Sequence, residues 1–330
     1  GNGSDATQQT SWVTVDQTGP TLLVSEPSLT ETANTDVSYI LSYTGEDIVT
    51  LSDEDISLHS TGAASATVQI DSTKNAERNV TLTNISGDGT LSISVASGTA
   101  EDELGNQANA VSNTTSFVID NTAPSVTLNN ATTQLTGNTP VSFEYSTDGT
   151  NTNLLDLSDI VLTADPTLML DLRVEQTLLN QGTIIAENFT GDGQFSIALA
   201  SASFTDSVGN GSDATTQTAS VTVDQTAPVL SVSAPSLSQT SNADVTYTLT
   251  YENIETISLT ADDITLNATG TANADVQVSN NKNTERTATL TNINGDGELS
   301  ISIAPGTGED MVGNPANSVA NTQAVIVDNT

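Results

Sequence analysis

The chain has 330 residues, with 41 Asp and Glu against 5 Lys and Arg and a formal net charge of −36. That balance excludes nucleic acid as a partner, because phosphates are held by a basic footprint, and it disfavours an anionic membrane surface for the same reason. A cation is the complement to expect, since unneutralised carboxylates repel one another and work against a compact state. The absence of cysteine removes disulfides and thiolate metal sites, and no apolar run is long enough for a spanning helix, so no membrane insertion is expected in this segment.

In chain order, residues 1–15 (GNGSDATQQTSWVTV) match 209–223 (GNGSDATTQTASVTV). The chain is therefore expected to open near the last strand of a preceding unit in a longer array. The run Asp-x-Thr-(Ala/Gly)-Pro then occurs at Asp16–Pro20, Asp120–Pro124 and Asp224–Pro228, and Asp328 begins a fourth, each step being 104 residues. A fixed period of this kind is the signature of a tandem array, with repeats at 16–119, 120–223 and 224–330. The register holds inside the repeat. Gly87-Asp88-Gly89 recurs as Gly191-Asp192-Gly193 and Gly295-Asp296-Gly297, and Asp102-x-x-Gly105-Asn106 recurs at Asp206, Gly209 and Asn210 and at Asp310, Gly313 and Asn314. Asp55 recurs as Asp159 and Asp263.

Within the first repeat, strands are expected near Leu22–Ser25, Val37–Tyr43, Ile56–Leu58, Ala66–Ile70, Asn79–Thr83, Thr90–Val95 and Thr115–Ile119. Several alternate apolar and polar residues, as in Leu91-Ser92-Ile93-Ser94-Val95, which is the period of a half-buried strand. About seven short strands in about 100 residues argue for a β-sandwich. The fold class expected is all-β: tandem immunoglobulin-like sandwiches in an elongated rod.

The Asp-x-Thr-Ala-Pro linker, the Leu-(Ser/Thr)-x-x-Asp-Ile run at Leu51–Ile56 and Leu259–Ile264, and the Asp-x-x-Gly-Asn motif resemble the bacterial Ig-like repeats of giant Bap-like and RTX-type surface adhesins. The resemblance implies an extracellular stalk, on the bacterial cell surface or secreted, that holds an adhesive domain away from the cell. It also implies calcium at the junctions between repeats. No Gly-Gly-x-Gly-x-Asp nonapeptide is present.

In an Ig topology, the start of the unit and the loops after strands B, D and F share one end of the sandwich. For the first repeat that end gathers Asp16, the loop with Asp55, and the loop with Asp102 and Asn106. The other end carries Asp88 beside Asp120. End-to-end stacking would bring Asp88 and Asp120 towards Asp159, Asp206 and Asn210, and Asp192 and Asp224 towards Asp263, Asp310 and Asn314, with Asp296 at the far end. Such a junction offers hard oxygen ligands of the kind Ca²⁺ takes, six to eight at a time. Read alone, each motif is a turn: Asp and Asn beside Gly are ordinary turn formers, and Gly-Asp-Gly is a common hairpin tip. Lys74 and Arg78, with Lys282 and Arg286, lie at the predicted D–E turn and offer salt bridges as the alternative to a metal, although two bases do not balance the acids near that end.

Catalysis is not expected. The single histidine, His59, has no counterpart in the other repeats, where Thr163 and Asn267 hold the equivalent positions, and it is read as an exposed strand-end residue. Trp12 is assigned to packing in the truncated strand. The function expected is a stalk segment supporting adhesion or biofilm formation, partnered by neighbouring repeats of the same chain. Strands of about seven residues at about 3.3 Å each give about 30–35 Å per repeat and a rod on the order of 100 Å. Two alternatives stand beside it. One is a binding module for a host glycan or protein, with the divergent middle-repeat loops Asp148–Ser158 and Asp165–Leu179 as its surface, although they carry no aromatic residue. The other is an ancillary Ig-like array of a secreted hydrolase.

Overall fold

The computed structural model describes residues 11–71, 76–149 and 151–330. The chain forms two compact units. One comprises Gly1–Ser125 with Asp148–Asn153 and Ala202–Asp213; the other comprises Val126–Thr147, Leu154–Ser201 and Ala214–Thr330.

The first unit holds β1 (Thr21–Val24), β2 (Glu31–Thr32), β3 (Val37–Thr44), β4 (Ile48–Val49), β5 (Ile56–Ser60), β6 (Ser65–Asp71), β7 (Glu77–Ser86), β8 (Gly89–Val95), β9 (Ala100–Glu101) and β10 (Phe117–Ile119). Eight of them make two four-stranded sheets of order β1-β3-β7-β6 and β2-β10-β8-β5, and β4 pairs with β9. This is the Ig sandwich arrangement: strands A, B, E and D in one layer, and C, F and G in the other. The first strand is split between the layers, because the chain breaks at Pro27 and re-enters as β2, parallel to β10. Alternation drives the packing. In β3, Val37, Tyr39, Leu41 and Tyr43 are buried while the residues between them face outward. Each such side chain removed from water contributes about 1.5–3 kcal/mol. Leu91, Ile93, Phe117 and Ile119 close the core from the opposite sheet.

The second unit repeats the pattern twice. Its earlier pair of sheets has order β11-β13-β16-β15 and β12-β18-β17-β14, from β11 (Val126–Leu128), β12 (Leu135–Thr136), β13 (Val141–Thr147), β14 (Ile160–Ala164), β15 (Met169–Leu178), β16 (Gln181–Thr190), β17 (Gly193–Leu199) and β18 (Val221–Val223). Phe143 and Phe189 pack against Phe195 in its core, with ring centroids 6.1 and 5.7 Å apart. The later pair is β19-β21-β25-β24 and β20-β28-β26-β23. These strands are β19 (Val229–Val232), β20 (Gln239–Thr240), β21 (Val245–Glu252), β23 (Ile264–Ala268), β24 (Asn273–Lys282), β25 (Glu285–Asn294), β26 (Gly297–Ile303) and β28 (Val325–Val327), and β22 (Thr256–Ile257) pairs separately with β27 (Gly308–Glu309).

Three expectations change. Residues 165–179 are not a loop: Met169–Leu178 is a ten-residue strand paired along β16. Gly-Asp-Gly is not a hairpin tip but the corner at which β7 leaves one sheet and β8 begins in the other. Trp12 is 91% exposed and outside any strand, whereas Val221 and Val223, at the positions equivalent to Val13 and Val15, are buried in β18. The difference is pairing: β18 lies between β12 and β17, and among the described residues no strand pairs with 11–15.

Candidate functional site

All but one of the recurring acid series converge on the linkers, and the clamp geometry is the same at each. In the loop after β9, one carboxylate oxygen of Asp102 accepts the backbone N–H groups of Leu104 and Asn106, both at 2.9 Å, and the other accepts the Asn106 side-chain amide at 2.8 Å. The second hydrogen of that amide goes to the carbonyl of Asp16, at 3.2 Å. The first unit repeats the device. Asp206 accepts from Val208, from the Asn210 backbone and from the Asn210 amide, which also donates to the Asp120 carbonyl at 2.9 Å. In the second unit Asp310 and Asn314 do the same, with Nδ2 2.8 Å from the Asp224 carbonyl.

A second grip comes from the sheet corner. Asp88 accepts the Asn121 backbone N–H at 2.6 Å and the Thr122 hydroxyl at 3.0 Å, and Asn121 Nδ2 donates to the Gly87 carbonyl at 2.8 Å. Asp192 holds the Gln225 N–H and the Thr226 hydroxyl, and Gln225 in turn donates to the Phe189 carbonyl and accepts from the Gly191 N–H. Asp296 receives the Asn329 N–H at 2.7 Å. The linker aspartates brace their own turns: Asp16, Asp120, Asp224 and Asp328 each accept the N–H two residues on. Pro20, Pro124 and Pro228 are buried.

The electrostatics follow from these donors. The Asn106 amide and neighbouring N–H groups hold the Asp102 carboxyl below the usual carboxylate range. For Asp206, 7% exposed, burial pushes the carboxyl up, but the Asn210 amide and the loop N–H groups outweigh it and the net direction is down. The Thr226 hydroxyl and the Gln225 N–H lower Asp192.

Asp55, Asp159 and Asp263 do something else. Each closes a capping box on the 3₁₀ turn that leads into β5, β14 or β23. Asp263, for example, accepts both the N–H and the hydroxyl of Thr260 at 2.8 Å. The Ser/Thr/Asp-x-x-Asp spacing is a helix-start signature readable in the sequence. Asp263→Ala is expected to cost about 1 kcal/mol and to lower the melting temperature equally in calcium and in chelator, measured by calorimetry in both buffers.

Among the described residues, no group of three or more acidic or histidine side chains is placed to hold a metal ion. The basic residues turn to their own hairpins. Lys282 meets Glu285 at 2.7 Å and Arg286 donates to the carbonyls of Lys282 and Glu285, while Arg173 pairs with Glu175 and Glu187. Arg78 donates to the Glu77 carbonyl; Lys74 lies outside the described residues. His59 Nε2 meets Ser94 Oγ at 2.8 Å on the outer sheet face, and Asn267 meets Ser302 at 3.0 Å at the equivalent position. That pair is a link between strands.

Strand order and linker geometry together define a class: an array of Ig-like β-sandwich repeats with hydrogen-bonded linkers. No protein-family model matches the sequence, and none of the curated proteins matches it. Among solved structures the chain is similar to the FN1–FN3 domains of chicken CNTN1, at 10% identity and TM-score 0.24, over 94% of this chain and 98% of that one. It is also similar to InvD of Yersinia pseudotuberculosis, at 15% identity and TM-score 0.27, over 96% of this chain and 99% of that one. At these TM-scores the likeness carries no argument, and the class rests on strand order and linker geometry.

Proposed function

We propose that this chain is a non-catalytic spacer: an extender segment of a large bacterial surface adhesin, extracellular, serving cell adhesion or biofilm formation. The observation that carries the reading is the repetition of one clamp, in which the asparagine of each Asp-x-x-Gly-Asn loop donates to the carbonyl of the linker aspartate at three successive linkers. A binding or catalytic surface needs one distinctive site. A spacer needs the same linker geometry each time, and side-chain hydrogen bonds to a proline-restricted linker supply it. Calcium enters this reading as a counter-ion to the 41 acidic residues, a role supported by charge alone.

The test is small-angle X-ray scattering of the chain in calcium and in chelator at matched ionic strength, so that plain screening is equal in both. An extended particle of the same maximum dimension in both buffers is the result expected of hydrogen-bonded linkers. A particle that lengthens and stiffens in calcium assigns the stiffening to the metal. A collapsed particle in both buffers sinks the spacer reading.

A further inference from the structure

The middle repeat exposes apolar residues at six positions where its two neighbours carry polar or small ones. Leu154, Leu157, Val161, Met169, Leu178 and Leu179 stand where the first repeat has Thr50, Asp53, Ser57, Ser65, Lys74 and Asn75, and where the third has Ser258, Ala261, Thr265, Asn273, Lys282 and Asn283. The six are 46–65% exposed. Single exposed apolar residues are ordinary, but six such exchanges confined to one repeat of a chain with net charge −36 are not scattered background. Gln176 ties part of the group together. It accepts the Leu155 N–H at 2.9 Å and donates to the carbonyls of Leu178 and Leu179, which brings the loop before the 3₁₀ turn against the end of β15.

Val161 lies on an open sheet edge and Leu157 in the turn just before it, whereas Met169 and Leu178 are the two ends of β15 in the other sheet. The order β12-β18-β17-β14 ends on β14. Its ladder to β17 runs through Asp159 and Asp165, whose backbone groups bond Ala200 and Gln194. The alternation of an antiparallel ladder then turns the N–H and C=O of Ile160, Leu162 and Ala164 outward, ready for another strand. The uncharged run Ile160–Ala164 is bracketed by Asp156 and Asp159 on one side and Asp165 on the other; Ser52 and Thr61 stand at the outer two of these positions in the first repeat, and Thr260 and Thr269 in the third.

We propose that β14 is a docking edge for an extended segment of a partner protein, apolar at its centre and basic at both flanks. The open ladder favours a strand over a helix. The bracketing aspartates select lysine or arginine flanks and disfavour a second copy of this chain, since antiparallel self-pairing about Leu162 sets Asp159 of one copy against Asp165 of the other.

The test uses the full chain and a short peptide of alternating threonine and valine with paired lysines at both ends, beside a twin with glutamates in their place. Binding is followed by fluorescence anisotropy, and the backbone amides of 160–164 by NMR. The comparison variant carries Leu154→Thr, Leu157→Asp, Val161→Ser, Leu178→Lys and Leu179→Asn, residues that the first repeat holds at the same positions; Val161→Ser alone is the milder version. The lysine peptide is expected to bind the unaltered chain, to shift the β14 amides, to weaken with salt, and to bind the five-site variant at least about tenfold less tightly. The glutamate peptide is expected not to bind. Equal binding to the variant, binding away from β14, or no binding to either protein overturns the proposal. A dimer of the unaltered chain that the variant abolishes, seen by sedimentation, also overturns it in favour of a second copy.

Discussion

Gly89→Ala is expected to destabilise its repeat by about 3 kcal/mol or more, against about 1 kcal/mol for Gly105→Ala. Both glycines have positive φ, +146° at Gly89 and +82° at Gly105, so both substitutions carry backbone strain. They differ in what surrounds them. A Cβ at Gly105 meets nothing within 4 Å, whereas one at Gly89 lands on the carbonyl of Thr61, well inside van der Waals distance, and 3.2 Å from the Ala64 Cβ. That carbonyl is backbone at the end of β5 and cannot step aside as a flexible side chain would. Gly89 also opens β8 directly after the corner, so displacing it shifts Leu91 and Ile93, both fully buried. At about 4–8 °C per kcal/mol for a domain of this size, the Gly89 variant is expected to melt more than about 10 °C lower by calorimetry, and Gly105→Ala only a few degrees lower. Equal losses in the two variants would show that the corner relaxes and that the close approach of the Thr61 carbonyl to Gly89 has no energetic weight.

The fold was legible because strands such as β3 and β8 alternate in sequence: Val37, Tyr39, Leu41 and Tyr43, or Leu91, Ile93 and Val95, mark the inward face by spacing alone. The two-residue strands Glu31–Thr32, Ile48–Val49 and Ala100–Glu101 were not, since two residues show no period and only the partner strand defines them. At the linkers, spacing grouped Asp102 with Asn106 and set Asp88 beside Asp120. Spacing does not show where a donor points, and the second Asn106 hydrogen goes to a main-chain carbonyl 90 residues away. The series Asp55, Asp159 and Asp263 recurs as regularly as the linker residues because a capping box is as tied to the fold as a clamp is. Recurrence marks what the repeat requires without distinguishing the two. The apolar residues of the middle repeat were legible only in part: the sequence set 148–158 and 165–179 apart as divergent, and burial shows that Leu154, Leu157 and Val161 are exposed.

Removing the clamp amide tests the linker directly. Asn210→Ala leaves the Asp206 carboxylate, 7% exposed, without its side-chain donor and leaves the Asp120 carbonyl without a partner on that side. The expected loss is about 1–3 kcal/mol, the range for a hydrogen bond to a charged, desolvated group. Asn210→Asp is expected to be worse at neutral pH, because it sets a second carboxylate against Asp206. The pH dependence separates the two effects. In the unaltered chain the Asp206 carboxyl is depressed, so its contribution is complete above the ordinary carboxylate pKa of about 4 and is lost as pH falls below it. In Asn210→Asp one of the paired carboxyls is raised instead, so the deficit against the unaltered chain is present at pH 7 and shrinks as pH falls towards 5. Melting curves of the three proteins from pH 7 to pH 3 read this out. A cycle with Asp206→Ala is expected to give a coupling of about 1–3 kcal/mol. If Asn210→Asp matches Asn210→Ala at every pH and the coupling is nil, Asp206 and Asn210 do not act as one clamp on the linker, and the linker is held by its proline and the sheet corner alone.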